Sequence, residues 1–443
     1  MLNVIAIFDV GKTNKKLFLF DEDYNIVFER TARFNEITDE DGDSCENVEA
    51  LRSSLFESLD EVLGLKEFNV KAINYSAYGA SWVYIDKKGN PVAPLYNYLK
   101  KFPDSLHKQF YDTWGDETSF SNRTASPVLG SLNSGLQLYR IKYQKPELFR
   151  AIHCALHLPQ YLSFLLTGKP VSDITSIGSH TGLWNFIKKD YDEWVIKEGI
   201  KDKLAPIHPH SDVVKVKYEN KELISGIGLH DSSAALIPYL VNFHEPFVLL
   251  STGTWSITLN PFNHTPLTET ELKNDCLCYL TYEGNPVKAS RLFAGYEHDE
   301  QVKIIADHFQ QPHNYYKQVK YDPTLLTSQD YDSNKLSDYG HFEKAYHLFM
   351  YQLVKKQVAS SGFVMTESIR RIFVDGGFSK NTLYMNMLAS LYPGKELYAA
   401  TMAQSTSLGA ALAIHKAWNR KPIPRDIIEL KYYAADVEVS NNS

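Results

Sequence analysis

Four cysteines in 443 residues are too few for a disulfide framework and fit a reducing cytoplasm, the compartment expected here. No stretch approaches the roughly 18–20 consecutive apolar residues of a membrane-spanning helix, so no membrane partner is expected. The opening MLNVIAIFDVGKTNKK sets its apolar run ahead of its lysines and lacks a small-residue cleavage site, so it does not read as a secretory signal. The familiar phosphate and metal signatures are missing as well. There is no GxxxxGK[ST] loop, no GxGxxG after a strand, no HExxH and no CxxC pair. His153 and His157 stand four apart, as a metal pair on a helix would. With no third acidic or Cys ligand nearby they read as packing or surface histidines. Cys276 and Cys278 read as an inert pair on one face of a strand. No basic stripe is present, which removes nucleic acid from the expected partners.

What remains is an ordinary globular composition, 44% hydrophobic and 22% charged. At roughly 100–200 residues per domain, the length allows two or three domains. Seven acidic residues between Glu36 and Glu49, with no Lys or Arg among them, equal the whole net charge of −7. That segment reads as a solvated loop running into a helix.

The first residues read as a hairpin: apolar Val4–Phe8, turn chemistry at Gly11–Asn14, apolar Leu17–Phe20. Val48, Leu51, Leu55, Leu59 and Val62 form a helix-period stripe over 47–64. Lys71–Tyr75 and Trp82–Ile85 read as strands, and 134–166 as mostly helix, punctuated by Pro146 and Pro159. The hairpin pattern then returns. Phe247–Leu250, a turn at Ser251–Gly253 and Trp255–Leu259 match the first, with Gly253 in the place of Gly11 more than half a chain later. This is either a domain-scale repeat or two unrelated hairpins. Arg371–Val374 reads as a strand ending in Asp375-Gly376-Gly377, Asn381 opens a helix through Leu391, and 406–414 reads as a helix with a small-residue face.

Glycine turns directly after apolar strands suit a nucleotide held by backbone N–H groups. In the first turn, Lys12, Thr13, Asn14 and Lys16 add donors, and Asp9 precedes it, placed to hold hydrated Mg²⁺. The alternative is a plain Asp-x-Gly hairpin. Asp231 lies in Gly-Ile-Gly-Leu-His-Asp-Ser-Ser-Ala-Ala-Leu, residues 226–236. It reads either as an N-cap or as a general base at an element terminus lining a cleft.

Taken in order, these segments resemble the FGGY family of carbohydrate kinases over nearly the whole chain. FDVGKTNKK is similar to that family's first phosphate motif, STGTW to its second, and VDGGFSKN followed by QSTSLGAAL to its adenosine motif. GLHDSSAAL is similar to the segment with the catalytic base. The resemblance implies an α/β, two-domain actin-like (ribonuclease H-like) ATPase fold with a duplicated core and a central cleft. Residues 1–242 would bind sugar and carry the base, and 243–443 would bind nucleotide. It implies ATP and Mg²⁺ as cofactors, a small sugar as partner, and Asp231 as base. Thr252, Gly253, Thr254, Gly376, Gly377 and Asn381 would join Asp9, Gly11, Lys12, Thr13, Asn14 and Lys16 around the nucleotide. A homodimer is compatible with it.

The branch resembled most is the rhamnulokinase-like one. His230-Asp231-Ser232 is similar to its His-Asp-Thr, and SAYGASWVYID (76–86) to its DTWGVDYVLLD. This puts Gly79, Tyr78, Ser81, His230 and Ser232 at the sugar. Ser76 and Ser81 replace acidic residues and Tyr78 replaces Trp. Lys16 stands for Arg and Lys12 for Thr or Ser, and a Trp-x-Asp-x-Arg stretch appears as Tyr96-Asn97-Tyr98-Leu99-Lys100. The expected acceptors are L-rhamnulose, then L-fuculose, then D-xylulose. Two other classes stay open. One is a non-catalytic actin-like sugar sensor or assembly protein. The other is an actin-like activator with an iron–sulfur cluster, for which Cys45, Cys154, Cys276 and Cys278 lack the spacing.

Overall fold

The computed structural model describes residues 1–434 except Thr13 and Ala403. Its frame is two seven-stranded mixed sheets. The first runs Val213–Tyr218, Lys221–Gly226, Phe68–Ala77, Leu2–Val10, Lys15–Asp21, Ile26–Ala32, with Leu229–His230 also paired to Phe68–Ala77. The second runs Cys276–Leu280, Pro286–Leu292, Ser256–Asn260, Phe247–Thr252, Arg371–Gly376, Glu396–Thr401, Glu429–Tyr433.

One pairing pattern recurs in both. Leu2–Val10 is antiparallel to the strand after its turn and parallel to Phe68–Ala77. Phe247–Thr252 is likewise antiparallel to Ser256–Asn260 and parallel to Arg371–Gly376. On one side a third antiparallel strand follows, and on the other a second parallel one. The matched turns also close alike: Gly11 N–H donates to Asn14 O and Gly253 N–H to Trp255 O, each at 2.9 Å. The repeat is therefore one of topology as well as of glycines.

The first strand is covered on both faces, which is why Val4–Phe8 is an unbroken apolar run rather than an alternating one. Val4, Ala6 and Phe8 join a core with the helix Val48–Gly64, through its Leu51, Leu55, Leu59 and Val62. Ile5 and Ile7 pack on the other face with Ala234, Ile237, Leu408 and Ala411 from two helices, Asp231–Asn242 and Ser405–Ala413. Those helices cross at a glycine. A Cβ on Gly409 would lie 1.8 Å from Ala234 O, so the close approach needs hydrogen there.

Two expectations require correction. Cys154–His157 is a strand, paired antiparallel with Trp82–Ile85, so His153 and His157 do not share a helix. Helix Leu158–Thr167 starts after it with Pro159 in its first turn, and the chain ahead of a proline favours extended backbone. The acidic segment is not simply a solvated loop. Asp39 and Glu46 are buried, and both are ion-paired to lysines. All four cysteines are buried and free. Among the described residues, no helix is long and apolar enough to cross a membrane.

Candidate active site

Asp231 is the first residue of the helix Asp231–Asn242, and the N-cap position falls to His230. Its carboxylate accepts Ser232 N–H at 2.6 Å and Ser232 Oγ–H at 3.2 Å. The His230 Nε2 lies 3.3 Å from the same oxygen, and the side chain is 34% exposed. The group is thus oriented on one side and open on the other, as proton acceptance from a bound hydroxyl requires. The imidazole is buried, and burial lowers its pKa against the opposing pull of Asp231. With Nε2–H facing the carboxylate, Nδ1 is a buried acceptor without a protein partner.

Gly79 lies against this ring. A Cβ there would sit 2.8 Å from His230 Nε2 and 3.8 Å from His180 Cε1. His180 and Tyr279 close the group, with ring centroids 6.3 and 5.7 Å from His230. Burial, then the charges of His230 and Arg291, push the His180 pKa down to about 3, and its Nε2 also lacks a partner. Tyr78 meets Tyr98 edge-on at 6.0 Å, and Tyr98 is in electrostatic reach of Lys12 and Asp231. Ser76, Tyr78 and Ser81 are buried; Ser76 Oγ lacks a partner, and the Ser81 hydroxyl acts on Tyr78 OH. The sequence had no signal for His180, Tyr279 or Arg291, which come from three separate segments.

Asp9, next to last in the first strand, lies beside Lys16 and Ser76 in register. Its Oδ2 accepts the Ser407 hydroxyl at 2.7 Å, a contact from the far end of the chain. Burial raises its pKa to about 6. Ser407 opposes that rise, the charge of Asp231 adds to it, and Lys16 opposes it. A cation near Asp9 would favour its charged form against burial. The lysines of this turn are engaged elsewhere. Lys12 binds Glu36 and Glu46 at 2.6 and 3.1 Å, and Lys16 binds Glu29 at 2.8 Å. Asn14 Oδ1 accepts Arg33 Nε–H at 3.0 Å. Thr13 lies outside the described residues.

On the second sheet, Gly253, Thr254, Gly377 and Asn381 line one open cleft of about 230 Å³. They share it with Phe378, which lies inside the VDGGFSKN segment, and with Gly295, His298, Asp299 and Tyr316, none of which the sequence had marked. Gly295 opens the cleft floor by contact: a Cβ there would lie 1.9 Å from Gly253 O. Gly376, at φ +81°, stacks equally closely on Thr252 O. Thr252 Oγ1 is consumed internally, donating to Asp375 O and accepting Phe378 N–H. Asn381 caps the helix Thr382–Leu391 through Oδ1 and donates to Tyr346 OH through Nδ2. Glycine turns at one end and aromatic rings at the other fit phosphate and adenine respectively.

The arrangement defines a class: a duplicated two-domain α/β protein with a partly exposed carboxylate at a helix start in one half and an open cleft lined by glycines and aromatic rings in the other. Residues 4–231 match the N-terminal domain of the FGGY family of carbohydrate kinases. Residues 244–325 and 350–422 match the FGGY carbohydrate kinase C-terminal domain. The chain belongs to this family. It is 25% identical over 269 residues to a rhamnulokinase of Halalkalibacterium halodurans, an alignment spanning 58% of this chain and 56% of that relative. The chain therefore matches little more than half the length of that relative. In fold it is similar to a carbohydrate kinase from Novosphingobium aromaticivorans (TM-score 0.78, 22% identity, covering 98% of this chain and 94% of that one). It is also similar to a xylulose kinase from Lactobacillus acidophilus (TM-score 0.79, 16% identity, the same coverage).

Proposed function

We propose that this protein is an ATP-dependent kinase of a ketose or related sugar, with Asp231 as general base. The observation that carries the proposal is Asp231 itself: a partly exposed carboxylate, oriented by Ser232 and His230, with Gly79 packed against the His230 ring. Asp231 would take the proton of the attacking hydroxyl. Phosphoryl transfer has a loose transition state with its charge on the γ-oxygens, so the remaining work is positioning and charge stabilisation. Backbone N–H groups at Gly11 and Gly253, with Thr254, would supply part of it. Asp9 would hold Mg²⁺ through water, and the bound ion would neutralise phosphate charge. Lys12 and Lys16 would have to exchange their carboxylate partners for phosphate oxygens. Gly376, Gly377 and Asn381 would bound the adenosine.

On this reading residues 1–242 form the sugar lobe and 243–443 the nucleotide lobe, working in the cytoplasm, and a homodimer is compatible with it. L-Rhamnulose leads the candidate acceptors, followed by L-fuculose and D-xylulose, on motif similarity. The test is ADP release over a panel of ketoses, aldoses and polyols, with the phosphorylated product identified by NMR. Sugar binding without sugar-dependent ADP release would instead favour a non-catalytic sugar sensor.

A further inference from the structure

The face of the first sheet that carries the helices Asp231–Asn242 and Ser405–Ala413 is not covered out to its edge. Val213 and Ile224 reach that packing, whereas Val216 and Tyr218 pack on the opposite face. Alternation therefore sends Lys215 and Lys217 to the helix side of the edge strand Val213–Tyr218, roughly 7 Å apart. Both are exposed, and they line an open groove of about 880 Å³ that shares no residue with the cleft at Gly253. A groove of that size falls within the roughly 300–1,000 Å³ of small-molecule sites.

Three further cations line it. Lys71 is the bulged residue between Val70 and Ala72 in the pairing with the first strand. Lys416 and Arg420 come from the far end of the chain, just after the helix Ser405–Ala413. Five cations thus face two carboxylates, Glu22 and Glu222, in a chain whose net charge is −7. Among the described residues none of the five is ion-paired, whereas the neighbouring Lys421 is held by Asp23 at 2.8 Å. Lysines commonly guard an edge strand against pairing with another chain. That accounts for Lys215 and Lys217, but Lys71 stands on an interior strand, and Lys416 and Arg420 on no strand at all. The wall carrying the last two is fixed in place, since Asn419 Nδ2–H donates to Glu22 O at 2.8 Å and Trp418 packs in the core with Ile5 and Ile7. Trp418 also lines the groove. It is 9% exposed, and its Nε1–H has no hydrogen-bond partner, a cost that an acceptor in the groove would relieve.

We propose that this groove is a binding site for a small molecule carrying two or more phosphoryl groups, which bridges the edge strand Val213–Tyr218 to the 416–420 segment. Phosphate is the anion that the donor set fits. Lysine ammoniums neutralise it as point charges, and Arg420 offers the paired N–H groups that grip it. Cations stand on both walls, so a ligand with charge at both ends satisfies them where a single phosphoryl group does not. Glu22 and Glu222 in the same groove disfavour a continuous polyanion such as nucleic acid, and the acidic chain as a whole is repelled by an anionic membrane. The site does not depend on the kinase reading.

The test uses inorganic tripolyphosphate in magnesium-free buffer, read by calorimetry and by amide hydrogen exchange. In wild type about 1 mM tripolyphosphate should slow exchange over 213–218 and 415–420 by at least ~3-fold. Raising NaCl from about 50 to about 200 mM should weaken that binding by about 3-fold or more. The double variant Lys215→Glu with Lys217→Glu, and separately Lys416→Glu on the other wall, should each lose the protection and weaken groove binding by about 10-fold or more. Inorganic phosphate should bind the groove at least ~10-fold more weakly than tripolyphosphate, and equal affinity would overturn the bridging. Protection confined to the turns at Gly11 and Gly253 would overturn the site, because the anion would then occupy the other cleft alone. Protection of the groove that survives either charge reversal would overturn it too. One folded variant is enough for that comparison, and if both reversals unfold the chain the lysines are structural and the proposal falls. A single strand of about 20 nucleotides that binds through the same lysines more tightly than tripolyphosphate would reassign the groove to nucleic acid.

Discussion

Replacing Asp9 by Asn should make the nucleotide-free protein more stable. In the folded chain this carboxyl is driven from its ordinary value of 3.8 to about 6, first by burial and then by the charge of Asp231. Ionising it in the folded state therefore costs about 3 kcal/mol more than in the unfolded chain. The sign follows from proton binding. Below pH 3.8 the group is protonated in both states and contributes nothing. Between 3.8 and about 6 the unfolded chain loses the proton first, so wild-type stability falls with rising pH. Above about 6 the deficit is constant. Asn keeps the Ser407 hydrogen bond, because its Oδ1 accepts the same hydroxyl, and carries no charge. Asp173 is also raised to about 6, by burial first, but it is common to both proteins and cancels in the difference. The assay is denaturant unfolding of both proteins without metal or nucleotide, from pH 4 to pH 8. The expected gap is about 0.5 kcal/mol at pH 4 and about 2–3 kcal/mol in favour of Asp9→Asn at neutral pH. A gap at pH 7.5 below about 0.5 kcal/mol, or one equally large at pH 4, would refute the argument. Under the proposed function the stabilised variant would be inactive, and Mg²⁺ with ADP would stabilise wild type more than the variant.

Three further outcomes are expected. Asp231→Asn should lower kcat by at least about 10²-fold while ATP affinity stays near wild type, and a loss of only a few-fold would remove Asp231 from the role. Gly79→Ala should displace the His230 ring, since the new Cβ falls 2.8 Å from Nε2. The sugar KM should rise by about 10-fold or more, with thermal stability little altered and ATP affinity intact. Gly253→Val should spare the fold, because the nearest atom to a Cβ there is Trp255 O at 3.8 Å, yet weaken ATP binding, which calorimetry would read. Unchanged ATP affinity would take this turn out of the phosphate site.

Most of the frame was legible because its signals are local. Turn residues between apolar runs identify both hairpins, and the Val48–Val62 stripe identifies its helix. Cys154–His157 was not legible: four consecutive buried residues carry no period, and only their partner strand Trp82–Ile85 decides the matter. The acidic segment misled for a different reason. A run of one charge sign reads as solvated when its counter-charges are scattered, and Lys12, Lys15, Lys100, Arg140 and Lys145 meet it only in the folded chain. His180, Tyr279 and Arg291 belong to no motif, so tertiary structure alone brings His180 and Tyr279 beside His230, with Arg291 in electrostatic reach of both.

The small-residue helix shows where local pattern stops and fold takes over. TSLGAAL announces a close approach but not its partner. In the structure the helix Ser405–Ala413 touches both carboxylate elements of the proposed site. Ser407 donates to Asp9, and Gly409 lies on Ala234 O, one turn into the helix that Asp231 begins. A third tie comes from the central strand. Asn74 Nδ2–H donates to Ala410 O and its Oδ1 accepts Gly228 N–H, just ahead of the His230–Asp231 pair. Asn74 is buried, and a Cβ on Gly226 would overlap its amide, so the tie has no slack. The helix is close in sequence to the strand Glu396–Thr401 of the second sheet, so a shift of that sheet relative to the first would be expected to reach both Asp9 and the Asp231 helix. Closure of the lobes, which excludes water as a competing acceptor, would then set the metal carboxylate and the base in one movement rather than two.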